Sequence, residues 1–222
     1  MSSSSPPEQW TAVDQYYSKL LMEPDAALDA ALADSKAANL PGINVAPNQG
    51  KFLHLLAKMH ASKRILEIGT LGGYSTIWLA RALPAGGKLI TLEYEPRHAD
   101  VAWKNIARAG LSDVVEIRVG RAIDSLPKLV GESPFDLAFI DADKVSTADY
   151  FDWSLKLTKP GSVIIVDNVV RKGAVVDPKG DDAVQGIRRF NELLSKEKRV
   201  EATAIQTVGT KGYDGFVVAR VK

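Results

Sequence analysis

Hydrophobic positions along the chain change their period more than once. From Trp10 to about Leu32 they recur at helical intervals among many alanines, at Leu20, Leu21, Leu28 and Leu32, and Pro24 opens a second helix within that stretch. Residues 39–47 (NLPGINVAP) interrupt the pattern with two prolines and a glycine, and read as a loop. Asn48 is then a fitting N-cap for a helix over 49–60 whose apolar face is Phe52, Leu53, Leu56 and Met59. Beyond it, short branched runs appear at 64–68 (RILEI), 88–93 (KLITLE), 114–119 (VVEIRV), 135–140 (FDLAFI) and 162–166 (SVIIV). Helical stretches separate them at about 74–83, 96–109, 121–129 and 146–157.

Apolar strands alternating with helices predict an α/β fold, a doubly wound parallel sheet covered on both faces. A last helix over 181–196 leads to two late strands, 200–205 and 215–221. The link between them is short and contains GTKGYDG, which suits an antiparallel hairpin and not a helical crossover. Residues 1–8 (MSSSSPPE) are of low complexity and predict a disordered tail. The remainder, 9–222, reads as a single domain: an N-terminal helical extension over 9–60 and a Rossmann-like core over 61–222.

Composition narrows the function classes. Lys and Arg total 28 against 27 Asp and Glu, so no basic surplus points to nucleic acid as a partner. The chain has no cysteine, which removes disulfides, thiolate metal sites and thiol nucleophiles. No apolar run is long enough for a membrane span, and the first residues lack the basic and apolar regions of a secretory signal. A cytoplasmic protein with no membrane partner is expected.

In an open α/β sheet, ligands bind beyond the carboxyl ends of the strands. The first strand runs into Gly69-Thr70-Leu71-Gly72-Gly73, a GxxGG turn into a helix. The spacing is not the GxGxxG of dinucleotide sites, and the same residues would also make a plain tight turn. Glu93 ends the second strand, where an acid can accept the two hydroxyls of a ribose. The nucleoside could belong to NAD or to S-adenosylmethionine, and the glycine spacing favours the latter. The fourth strand ends in Asp141-Ala142-Asp143-Lys144 and the fifth in Asp167-Asn168. Oxygen donors from Asp141, Asp167 and Asn168 would suit Mg²⁺, Mn²⁺ or Ca²⁺, although such residues also serve as simple caps.

The runs ILEIGTLGGYS (65–75), FDLAFIDADK (135–144), PGSVIIVDNVVRKGAVVDP (160–178) and GYDGFVVAR (212–220), with Glu93, resemble the cation-dependent class I O-methyltransferases, the caffeoyl-CoA and catechol O-methyltransferase group. The resemblance spans about residues 40–222. It implies a seven-stranded, mostly parallel sheet with a reversed last strand and commonly a homodimer. S-adenosylmethionine would be the methyl donor and a divalent cation, Mg²⁺ first, the second cofactor. It implies that Val45, Glu67, Gly69 and Thr70 line the cofactor, that Ser75 holds its carboxylate and that Glu93 takes its ribose. Ala122 and, from position only, Tyr94 would sit by the adenine, with Asp143 at the amino group. Asp141, Asp167 and Asn168 would hold the metal, and Lys144 would take a phenolic proton. Asp141, Lys144, Asn168, Arg171 and Lys172 would meet the acceptor, a small vicinal-dihydroxy aromatic such as a catechol, hydroxycinnamate or flavonoid.

The chain departs from the family where the acceptor pocket is rimmed. Val145, Ser146 and Thr147 stand where several members carry an Asn-Tyr pair, and Arg171 stands where many carry an aromatic residue. Basic Arg171 and Lys172 attract an acidic acceptor or form a solvated loop. The long insertions of the plant CoA-ester enzymes are not evident. His54, His60 and His98 read as structural or surface residues, and Trp10, Tyr16 and Tyr17 as helix packing in preference to a lid. A metal-independent methyltransferase, a nicotinamide oxidoreductase and a non-catalytic binding protein remain alternatives.

Overall fold

The computed structural model describes residues 5–222. The branched runs form the strands β1 (Arg64–Ile68), β2 (Lys88–Glu93), β3 (Val115–Val119), β4 (Phe135–Ile140) and β5 (Thr158–Asp167), followed by β6 (Val200–Gly209) and β7 (Gly212–Val221). They make one seven-stranded sheet in the order β3-β2-β1-β4-β5-β7-β6. Only β7 is reversed: it pairs antiparallel with both β5 and β6. The late hairpin is tighter than its sequence suggests. Its strands run on to Gly209 and from Gly212, leaving only Thr210 and Lys211 between them.

Among the described residues eight α-helices surround the sheet: α1 (Pro6–Leu21), α2 (Ala26–Ala37), α3 (Pro47–Met59), α4 (Tyr74–Ala80), α5 (Pro96–Arg108), α6 (Ala122–Ser125), α7 (Thr147–Leu157) and α8 (Asp182–Lys196). Strand alternation divides the core into two. Leu66, Ile68, Ala138, Ile140 and Ile164 face Phe151 and Phe190 of α7 and α8. Ile65, Leu137, Phe139 and Ile165 face Leu53, Ile77 and Ile106 of α3, α4 and α5. Each fully buried Leu, Ile or Phe of this kind contributes about 1.5–3 kcal/mol by leaving water. No helix among the described residues is long and apolar enough to cross a membrane.

Some local expectations need correction. Pro6, Pro7 and Glu8 are not tail but the first turn of α1, where the Glu8 carboxylate accepts the Ser5 main-chain N–H; residues 1–4 lie outside the described residues. The N-cap of α3 is Ala46, with Pro47 at the first helical position. Asn48 instead ties α3 to α1, donating to Asp14 Oδ1 at 3.1 Å and accepting from Ser18 Oγ at 3.1 Å. Met59 is 74% exposed and takes no part in the α3 core face. The expected helix over 121–129 is α6 followed by a 3-10 turn from Leu126, with Pro127 in its first turn.

The chain runs outward from β1 through β2 to β3 and then returns to β4 on the other side of β1. A crevice opens where the direction reverses. Register aligns its rim: Ile68 sits opposite Leu92 and Ile140, and Ile140 opposite Val166. The next residues on three neighbouring strands, Gly69, Asp141 and Asp167, therefore stand side by side.

Candidate active site

The turn after β1 is shaped by contact with its neighbour. Gly69 has φ +101°, and a Cβ there would lie 2.1 Å from the Asp141 carbonyl oxygen, so only glycine fits. Glu93 grips the same turn: its Oε2 accepts the main-chain N–H of Thr70 at 3.1 Å and of Leu71 at 2.7 Å. Its Oε1 accepts the Glu95 N–H at 2.9 Å and lies 3.4 Å from His98 Nδ1.

A cavity of about 760 Å³ opens above these strand ends. Val45, Gly69, Thr70 and Ser75 form one wall; Glu93, Tyr94 and Ala122 form another. Asp141, Asp143, Lys144, Asn168 and Arg171 line the end over β4 and β5.

Glu67, expected to line the cofactor, does not reach this cavity. It is fully buried behind the wall, where its Oε1 accepts from Ser75 Oγ at 2.7 Å and its Oε2 from Thr76 and Thr91 Oγ1 at 2.5 and 2.7 Å. Burial, with the Asp141 charge adding to it, pushes its carboxyl up to about 7 against the pull of the three hydroxyls. Glu67 thus acts on the cavity through Ser75.

At the other end, Lys144 Nζ donates to Asp141 Oδ1 at 2.9 Å. Asp167 lies just behind the cavity wall. Its Oδ1 accepts the Asn168 main-chain N–H at 2.8 Å and its Oδ2 accepts from Gln49 Nε2 at 2.8 Å. Burial first, then the neighbouring Asp141 charge, pushes Asp167 up to about 7. Asp141 and Asp167 thus repel one another, and Asn168 lines the cavity next in sequence to Asp167; oxygen donors are the kind that a hard divalent cation takes. Among the described residues no three His, Cys, Asp or Glu side chains cluster. Asn168 is held in the left-handed region at φ +59°.

Asp143 is fixed by two donors, the Ser146 main-chain N–H at 2.9 Å and the Tyr150 hydroxyl. Burial alone would raise its carboxyl, but these hydrogen bonds outweigh it and hold the group below the usual carboxylate range. The Tyr150 hydroxyl is correspondingly driven well above its ordinary value by burial and by Asp143.

Other expectations are redistributed. Lys172 is exposed and off the cavity, unlike Arg171. His98, read as structural or surface, lines the cavity beside Glu93. His54 and His60 are structural, bonded to the Trp78 carbonyl and to Ser62 and Gly161. Tyr16 and Tyr17 touch each other edge-on, yet are 61% and 50% exposed, so they are not packed into the core. Gln49 and Tyr150 carry no local motif and were not expected at the site.

Comparison with known proteins follows the same lines. The family model described as O-methyltransferase matches residues 25–221. A catechol O-methyltransferase of Niastella koreensis is 56% identical over 214 residues, covering 95% of this chain and 97% of that protein. Another, from Mycobacterium tuberculosis, is 50% identical over 210 residues, 95% of each chain. The solved O-methyltransferase from Bacillus cereus in complex with SAH is similar with a TM-score of 0.95 and 58% identity, over 97% of this chain and 99% of that one. O-methyltransferase TomG from Streptomyces achromogenes, involved in tomaymycin synthesis and solved with SAM, gives 0.96 at 52% identity, over 99% and 100%.

Proposed function

Because the chain belongs to the O-methyltransferase family and is an S-adenosylmethionine-dependent enzyme, we propose that its acceptor is a small aromatic vicinal diol and that a divalent cation on Asp141, Asp167 and Asn168 serves the transfer. One observation supports this: register sets the ends of β4 and β5 side by side, so that the Asp141 charge acts on Asp167, with Lys144 held 2.9 Å from Asp141. The names of two relatives, both catechol O-methyltransferases at 50% identity or more, point the same way. Nicotinamide chemistry and a purely binding role are set aside by the family.

In this reading Val45, Gly69 and Thr70 line the methyl donor, Ser75 holds its carboxylate, and Glu93 accepts the ribose hydroxyls. Glu67 orients Ser75 from behind. Tyr94 and Ala122 flank the adenine, and Asp143, locked by Tyr150, faces the amino group. A bound cation, Mg²⁺ or else Mn²⁺ or Ca²⁺, supplies positive charge that makes a phenol more acidic. Lys144, once it has given one proton to solvent and stands as the neutral amine, takes the phenolic proton and so returns to the ammonium form. The phenolic oxygen then forms its bond to the methyl carbon as the carbon–sulfur bond breaks, giving a methyl ether and S-adenosylhomocysteine. Positive sulfur and negative oxygen neutralise each other, so a site that excludes water and aligns the two favours the transfer.

The test is methyl transfer to catechol by enzyme stripped with EDTA, before and after Mg²⁺ is restored. Loss and recovery are expected; undiminished transfer without metal would favour the metal-independent alternative. The homodimer is part of the same proposal. Val13, Tyr16, Tyr17, Leu20 and Leu21 leave an apolar face of α1 in solvent. Sedimentation of a Leu20→Glu, Leu21→Glu variant as a monomer is the expected outcome.

A further inference from the structure

Resting on the aromatic-diol reading, we infer that Arg171 selects acceptors carrying a carboxylate on the ring or on a short chain from it. Arg171 lines the cavity three residues beyond Asn168, at the acceptor end. A guanidinium is permanently charged and presents a planar fork that matches a carboxylate. Here that fork has no partner. Among the described residues Arg171 enters no ion pair, and its Nε is a buried side-chain nitrogen without any hydrogen bond. The lysine at this end, Lys144, is already paired with Asp141.

The placement is held against local preference. Arg171 and Lys172 have φ of +55° and +56°, values that residues with a Cβ rarely adopt. Asp214 of β7 fixes this bend: its Oδ1 accepts the main-chain N–H of Val170 at 3.1 Å and of Arg171 at 3.0 Å. The Val169 N–H is bound to the Gly215 carbonyl at 3.0 Å. A solvated basic loop needs none of these anchors. They present Arg171 to the cavity and leave Lys172 outside it, so the two basic residues divide into one that faces the acceptor and one that faces water.

The experiment compares kcat/KM for 3,4-dihydroxybenzoate and 3,4-dihydroxycinnamate with that for catechol and for dopamine, in the metal-loaded enzyme and in Arg171→Gln and Arg171→Lys. Wild type should prefer the two acids over catechol by about tenfold, the scale of one charge-assisted pair. Arg171→Gln should bring that ratio close to one, mainly through KM for the acids, and Arg171→Lys should keep part of it. With wild type alone, KM for the acids should rise between about 50 and 500 mM salt while KM for catechol holds steady. Equal use of acids and catechol by wild type, a ratio that Arg171→Gln leaves in place, or a loss expressed in KM for the methyl donor would each overturn the inference. The diol reading would survive those results. Failure to methylate any of the four compounds would overturn both.

Discussion

Gln49 of α3 donates its side-chain N–H to Asp167 Oδ2 at 2.8 Å, a contact between residues 118 positions apart. With the Asn168 N–H on Oδ1, it fixes the plane of a buried carboxylate. Partners of this kind orient a metal ligand without touching the metal, and their removal typically costs about 10–100-fold in affinity. Gln49→Ala should therefore weaken Mg²⁺ or Mn²⁺ binding by that order, as read by titration calorimetry or by the electron spin resonance of free Mn²⁺. An unchanged cation affinity would show that Asp167 keeps its orientation without it.

Glu67 makes stability depend on pH in a definite sense. Its carboxyl ionises at about 7 in the folded chain against an ordinary value of 4.5. Between those values the unfolded chain has released a proton that the folded chain keeps, so stability falls as pH rises through this window. The full effect is on the order of 3 kcal/mol at most. Glu67→Gln should flatten the slope of unfolding free energy against pH from 4.5 to 7 in urea titrations. Asp167, also raised to about 7, contributes a similar slope to both proteins, so the difference between them isolates Glu67.

The parts of this site legible in the sequence are those that follow a strand. A branched apolar run marks its own end, and in a parallel sheet that end faces the crevice, which is why Glu93, Asp141 and Asn168 could be placed. Glu67 was misplaced by one face. It shares strand parity with Ile65, which points into the α3–α5 layer, so alternation was the signal for its burial. His98 also had a signal: Pro96 starts a helix directly after β2, which sets the first turn beside Glu93. Gln49 had none, because its contact joins segments 118 residues apart. The length of the β6–β7 hairpin was hidden for another reason. Gly209 and Gly212 read as loop, but here they lie at the ends of paired strands. At Gly215 a side chain would run into the Ile205 carbonyl.

Gly69 should tolerate no side chain. Alanine there meets both a φ of +101° and the Asp141 carbonyl at 2.1 Å. Backbone strain alone costs about 1–3 kcal/mol, and the clash must push the end of β4 away from β1. Gly69→Ala should lower the midpoint of thermal unfolding and weaken binding of S-adenosylhomocysteine, whereas Gly110→Ala, also at positive φ (+71°) but with open space around it, should lower the midpoint alone. Calorimetric titration of both variants checks the contrast.

Lys144 allows proton transfer to be separated from charge. Its side chain is paired with Asp141 and mostly buried, a position from which it could act as a fixed positive charge when protonated or, as the neutral amine, as the acceptor of the phenolic proton. Lys144→Met removes both roles and should lower kcat by about 10²–10⁴-fold, the usual scale of general acid–base catalysis, with little change in KM for the methyl donor. Lys144→Arg discriminates between them. A guanidinium keeps the charge and can still pair with Asp141, but it does not give up its proton in a protein and so cannot take one from the phenol. If Lys144 is the proton acceptor, Arg should be nearly as inactive as Met, and the rise of kcat with pH should shift toward the intrinsic ionisation of the diol in both variants. If the arginine enzyme instead retains most of wild-type kcat, Lys144 acts through its charge, and another group or solvent carries the proton.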